Sequence, residues 1–116
     1  MKTIMQLQRR YKTEWDQKAL EGKRQVAAYI YKKFGINSKK KFLQRVRDME
    51  KTLKINPYFV NKDPLFEGYT KEMRSVFINN LSRMVYYVEG DIIHIAAFWD
   101  GRRDAENQAA QIQEKL

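Results

Sequence analysis

Between Trp15 and Asp16 the spacing of apolar residues changes, and it does not change back until after residue 71. Upstream, Tyr11, Thr13 and Trp15 alternate with Arg10, Lys12 and Glu14, which is the two-residue period of a strand with one buried face. Asp16 follows at once, in the place of a helix N-cap. Beyond it Ala19, Val26, Ala27, Ile30, Tyr31 and Phe34 share one helical face,. Gly35 closes that helix, and Lys32 and Lys33 stand in its last turn, where cations suit the helix dipole,. Ser38 can cap a second helix, along which Phe42, Val46, Met49 and Leu53 follow at spacings of four, three and four. Asn56-Pro57 ends it, because a residue before proline avoids the helical region,. Only a few residues join the two helices, so they should pack antiparallel as a hairpin.

Residues 57–71, with Pro57, Asp63-Pro64 and Gly68, read as a loop. The two-residue period then returns in three runs, Glu72–Ile78, Arg83–Val88 and Ile92–Trp99. Asn79-Asn80 breaks the first run, and Glu89-Gly90-Asp91 is a tight hairpin turn between the second and third,. The last run is apolar on both faces, as a covered strand is. The expectation is an α+β domain of order β-α-α-β-β-β: an antiparallel sheet, the helical hairpin packed on one face, the other face left for function. Residues 1–9 are an N-terminal extension, and residues 105–116 a polar tail or short C-terminal helix.

At 116 residues the chain fits one domain,. It has no cysteine, so disulfides, thiolate metal sites and thiol nucleophiles are excluded, which suits a reducing cytoplasm,. No cofactor or metal is expected. The apolar stretch Ile92–Trp99, interrupted by His94, is too short to span a membrane,. The net charge is +9 and unevenly spread: residues 1–58 hold 16 Lys and Arg against 5 Asp and Glu, residues 59–116 hold 7 against 9. Such a surface attracts nucleic acid, an acidic partner protein or an anionic membrane, unless it only solvates helix faces.

Local sequence has a likeness of its own. Trp15-Asp16-Gln17-Lys18-Ala19, the helix ending Tyr29, Ile30, Phe34 and Gly35, Arg74 in the first meander strand, and the stretch SRMVYYVEGDIIHIAAFWDGRRD from Ser82 to Asp104 stand in order over residues 10–104. Together they resemble the RelE/ParE superfamily of toxins from type II toxin–antitoxin modules, the plasmid stabilisation or addiction systems of bacteria. The resemblance implies a cytoplasmic protein that arrests growth unless a cognate antitoxin wraps it. It also implies one of two targets. RelE-like members cut mRNA in the ribosome, whereas ParE-like members poison DNA gyrase.

Metal-free RNA cleavage needs a base, an acid and cations at the phosphorane. Arg74 and Arg83 are candidates for the cations, since each lies in an otherwise apolar strand where a charge is costly unless solvated or paired. The alternative is a structural ion pair with Glu72, Glu89 or Asp91. His94, the one histidine, is a candidate general base or a packed strand residue,. Lys39, Lys40 and Lys41 open the second helix, where cations oppose the dipole, and are candidate partner or nucleic-acid contacts. Arg102 and Arg103 are candidates for the same role. Trp15, Tyr86 and Trp99 either stack on bases or belong to the core. Many ribosome-dependent members end the last strand with a catalytic His or Tyr; this chain has Asp100-Gly101-Arg102-Arg103, a more ParE-like ending. The favoured expectation is a gyrase-directed toxin. The alternatives are a ribosome-dependent endoribonuclease and a non-toxic nucleic-acid-binding module.

Overall fold

A computed structural model describes residues 10–79 and 82–100. The element order is β1 (Lys12–Trp15), α1 (Gln17–Phe34), α2 (Ile36–Ile55), β2 (Arg74–Asn79), β3 (Ser82–Glu89) and β4 (Ile92–Asp100). This is the expected β-α-α-β-β-β order. The extension at 1–9 and the tail at 105–116 lie outside the described residues.

The four strands form one sheet in the order β1-β4-β3-β2. β2, β3 and β4 are an antiparallel meander, but β1 pairs parallel with β4, from Lys12 opposite Ile92 to Trp15 opposite Ile95. The sheet is therefore mixed, not wholly antiparallel. The helical hairpin explains this. Tyr11 N donates to Lys54 O at 3.2 Å, so α2 ends where β1 begins. β2 thus starts from that same end, and two reversals later β4 runs in β1's direction.

Gly35 joins the helices with φ 93, a conformation that glycine adopts freely,. It is both the last cap of α1 and the first of α2, so α2 starts at Ile36, two residues before the expected cap. Ser38 instead lies in the first turn and donates to Phe34 O. Asp16 does precede α1, without a side-chain cap bond. Between β3 and β4, Gly90 takes φ 62 and Asp91 does not, the sign pattern of a type II′ turn,.

Tyr31 and Phe34, expected on the apolar face of α1, are exposed, whereas Ala19, Val26, Ala27 and Ile30 of α1 and Phe42, Val46 and Leu53 of α2 bury the rest of the predicted stripes against Val76, Ile78, Met84, Tyr86, Ile93, Ile95 and Phe98. Each such large side chain contributes roughly 1.5–3 kcal/mol. α1 lies so close to β4 that a Cβ at Gly22 would stand 2.0 Å from Phe98 O. A register shift between Val85 and Tyr86 leaves Ala96 as an extra residue in β4,. It reverses the alternation, so Phe98 faces the helices and Trp99 faces away with Ala97.

Residues 56–73 form a strap between α2 and β2. At its start, buried Tyr86 donates its hydroxyl to Pro57 O at 2.6 Å. Lys62 then bridges Arg74 on the outer edge of β2. Past that edge, Phe66 and Met73 pack on Val85, Ala96 and Ala97, on the face opposite the helices. The sequence-based expectation left this face bare, but the strap covers part of it.

Burial pushes the Tyr86 phenol up to about 12 from its ordinary 10,. Above pH 10 the unfolded chain gives up this proton and the folded one keeps it, so stability is whole below pH 10 and is lost as pH rises toward 12. We predict an alkaline loss of roughly 1.4 kcal/mol per pH unit across that window. In denaturant melts, Tyr86→Phe should be less stable at pH 8 by about 1–2 kcal/mol and flatter above pH 10. Equal alkaline slopes for both proteins would show that this hydroxyl is not buried.

Candidate functional site on the open sheet face

The face away from the helices carries two polar clusters, built by the alternation of β3 and of the first part of β4. The first centres on Arg83. In β3 it stands opposite Phe77 of β2, and its guanidinium lies over that ring at 5.1 Å. Its Nη1 is 3.7 Å from Asp63 Oδ2 and, though buried, has no hydrogen-bond partner among the described residues. Asp63 is already engaged, accepting from Leu65 N at 3.0 Å and from Ser75 Oγ at 2.5 Å. The strap carboxylate thus neutralises Arg83 at a distance without closing a hydrogen bond. The partner is none of the acids that sequence reasoning offered, because Glu72 pairs with Lys62 and Glu89 with Lys71.

Arg74 lies elsewhere. Its position opposite Tyr86, with Val76 and Ile78 in phase, turns it to the helix side. Nη1 donates to Val60 O at 2.5 Å and the guanidinium lies over Tyr58 at 4.9 Å. Arg74 and Arg83 therefore do not share one sheet face, and Arg74 holds the start of the strap.

The second cluster surrounds His94. Its ring stacks on Tyr87, its direct neighbour in β3, with centroids 4.8 Å apart and planes 15° apart. Nε2 is 3.5 Å from Glu89 Oε1. Lys71 of the strap pairs with the same carboxylate and lies 5.4 Å over Tyr87. That hydrogen bond raises the Lys71 pKa above its ordinary value and lowers that of Glu89 below its own. Burial raises the Tyr87 phenol, with the Glu89 charge adding to it. An imidazole near a carboxylate and stacked on a phenol sets a candidate base beside a candidate acid,. Sequence reasoning found His94 but missed Tyr87, Glu89 and Lys71. The Tyr87–His94 pairing was readable from the two-residue hairpin turn. Beside both clusters the strap borders an open cleft of about 410 Å³ between Lys62, Asp63, Phe66, Tyr69, Lys71 and Glu72.

The remaining predicted residues are dispersed. Lys40 and Lys41 are exposed on α2, while half-buried Lys39 lies 5.6 Å over Tyr31. Arg102 and Arg103 lie outside the described residues. Trp15 stacks on Phe98, Trp99 stacks on Phe66, and Tyr86 is wholly buried, so all three serve packing. Among the described residues no helix is long and apolar enough to cross a membrane.

No family model and no curated protein matches this chain. Solved structures do. A chain of the chromosomal ParDE TA system from P. aeruginosa is 15% identical, with a TM-score of 0.64 over 79% of this chain and 97% of that one. E. coli toxin RelE, solved in the free state as a double arginine-to-alanine mutant, is 11% identical, with a TM-score of 0.54 over 91% of this chain and 96% of that one. The two helices on one side of a four-stranded mixed sheet are thus the RelE/ParE toxin fold.

Proposed function

We propose that this chain is the toxin of a type II toxin–antitoxin pair, held by a cognate antitoxin and arresting growth when released. We further propose that it acts on DNA gyrase by binding. The fold shared with a ParDE chain and with toxin RelE supports the toxin role, together with the ordered motifs from Trp15 to Asp104. The observation that carries the choice of target is the separation of the two strand arginines. Metal-free phosphoryl transfer calls for cations converging on one phosphate. Arg74 and Arg83 lie on opposite faces, and Asp63 already offsets Arg83.

A second reading, RelE-like cleavage of ribosome-bound mRNA, is favoured by one observation. His94 lies near Glu89 and stacks on Tyr87, a candidate base and acid for such chemistry. Induced expression of the full chain without its antitoxin tests both. Arrest with trapped gyrase–DNA complexes and intact mRNA is expected, and His94→Gln should arrest as well as the parent. Codon-position mRNA cuts that vanish in His94→Gln would replace the gyrase reading with the nuclease one. Normal growth would refute the toxin role. Arg83→Ala should weaken arrest while the circular dichroism spectrum remains that of the folded domain.

A further inference from the structure

The whole net charge of the chain is matched by its helical hairpin. Twelve of the 23 Lys and Arg fall between Gln17 and Ile55, against three of the 14 acids. The ion pairs among the described residues are made by Lys62, Lys71, Arg83 and His94, none of them on a helix. α2 alone holds seven cations against Asp48 and Glu50, and Glu50 accepts a hydrogen bond from Thr13 of β1. Three of the seven, Lys39, Lys40 and Lys41, follow one another over the first and second turns of the helix.

The helical repeat sorts these cations. Phe42, Val46 and Leu53 mark the buried side of α2. On the opposite side Lys40, Gln44, Arg47 and Lys51 follow at spacings of four, three and four, all exposed,. At 1.5 Å per residue the line from Lys40 to Lys51 is about 16 Å long. We propose that this line is a docking surface for duplex DNA, gripped through its phosphates.

The composition of the line chooses the occupant. A folded protein partner needs apolar or aromatic anchors at the centre of its interface, and this line, from Lys40 to Lys51, carries none. The exposed apolar residues of the hairpin are at its two ends, Tyr31, Phe34 and Ile36 at one and Ile55 with Tyr58 and Phe59 at the other. A single strand is bound by stacking its bases on aromatic rings, and the line has none. Duplex RNA is recognised by its phosphates together with 2′-hydroxyls across its shallow minor groove, which call for uncharged hydrogen-bonding groups beside the cations. The one uncharged polar group here, Gln44, is already tied to Arg47 and Asp48, both at 2.9 Å. Phosphate contact without base reading is what remains. A DNA duplex presents a charge about every 1.7 Å of its axis, counted over both strands, so a row of cations laid against it meets a dense field of phosphates whatever the base sequence. The surface is on the helix layer, away from the open sheet face, and its binding is measured without growth arrest.

The test is fluorescence anisotropy of the full chain on a 20-base-pair DNA duplex of arbitrary sequence, titrated over a salt series. The parent is compared with a triple variant, Lys40→Gln, Arg47→Gln and Lys51→Gln, whose fold is checked by circular dichroism. Each cation withdrawn from a phosphate should lower the slope of log affinity on log salt by about 0.9, so the variant's slope should fall by nearly 3 and its affinity at low salt by about tenfold or more. Lys62→Gln, whose charge Glu72 already matches, should change neither. If the triple substitution unfolds the chain, each single variant is read instead, with about 0.9 expected of each. An unchanged slope would overturn the proposal. So would tighter binding of the parent to the single strand, to duplex RNA of the same sequence or to polyglutamate than to duplex DNA.

Discussion

Gly22→Ala will lower stability by about 2–3 kcal/mol, and with it the melting temperature by roughly 10–20 °C. Helix propensity alone predicts the opposite sign. Alanine in the middle of a helix is favoured over glycine by about 1 kcal/mol. At this position, however, the added methyl would lie 2.0 Å from Phe98 O and 3.1 Å from its carbonyl carbon. Both are backbone atoms of β4, which at Phe98 is held by its pairing with Met84 of β3, so they do not swing away as a side-chain end would. α1 would have to lift off the sheet, opening the contacts of Ala19, Val26 and Ile30. Calorimetry on Gly22→Ala beside Ala28→Gly, an exposed position on the same helix, separates the two effects. The second should cost only about 1 kcal/mol. A higher melting temperature for Gly22→Ala would mean that α1 does not press on β4.

Phe66→Ala is expected to act locally and strongly. Phe66 is 3% exposed, edge-on to Tyr69 at 5.3 Å and stacked on Trp99 at 5.9 Å. Truncating a buried phenylalanine costs about 3–5 kcal/mol. Here the loss falls on the strap, whose other holds on the open face are Met73, the Asp63–Ser75 bond, the loose Asp63–Arg83 pair and, at its far end, Lys71 on Glu89 and Tyr87. Hydrogen exchange should quicken at Asp63 N, which donates to Met73 O, and at Tyr69 N, which donates to Phe66 O. The amides of α1 should keep their protection. Uniform loss across both regions, or none, would contradict a strap that docks as its own unit. Asp63 would leave Arg83 as the strap lifts, so the same variant tests how far the strap governs the charge of the sheet face.

Periodic features were legible in the chain itself. The Phe42, Val46, Leu53 stripe and the alternation through Tyr11, Thr13 and Trp15 each read from a few neighbouring residues, because burial repeats at the period of the element. What was not legible depends on partners far along the chain. The parallel pairing of β1 follows from where α2 ends, not from any residue of Lys12–Trp15. Arg83 finds Asp63, twenty residues upstream on a strap that turns around the sheet edge, and no spacing rule joins them. The extra residue Ala96 interrupts β4 within a run apolar on both sides, where alternation leaves no mark. Arg74 and Arg83 looked alike as charges in apolar strands; only the cross-strand register separates their faces. Gly22 looked like a weak point in a helix, yet its missing side chain is what lets the helix meet the sheet.

The pairing of the first strand with the last has a consequence during synthesis. Thr13 lies beside Ile93, eighty residues later in the chain. The hairpin can form while it is still leaving the ribosome, but β4 supplies the middle of the sheet and most of the floor beneath α1. Until β4 emerges, β1 has no neighbour, α1 keeps its apolar side uncovered and β3 lacks one edge. Contacts so distant in sequence form late. The nascent chain therefore has only the β2–β3 pair of its sheet until β4 joins them, and β4 then closes the sheet and the helix layer together.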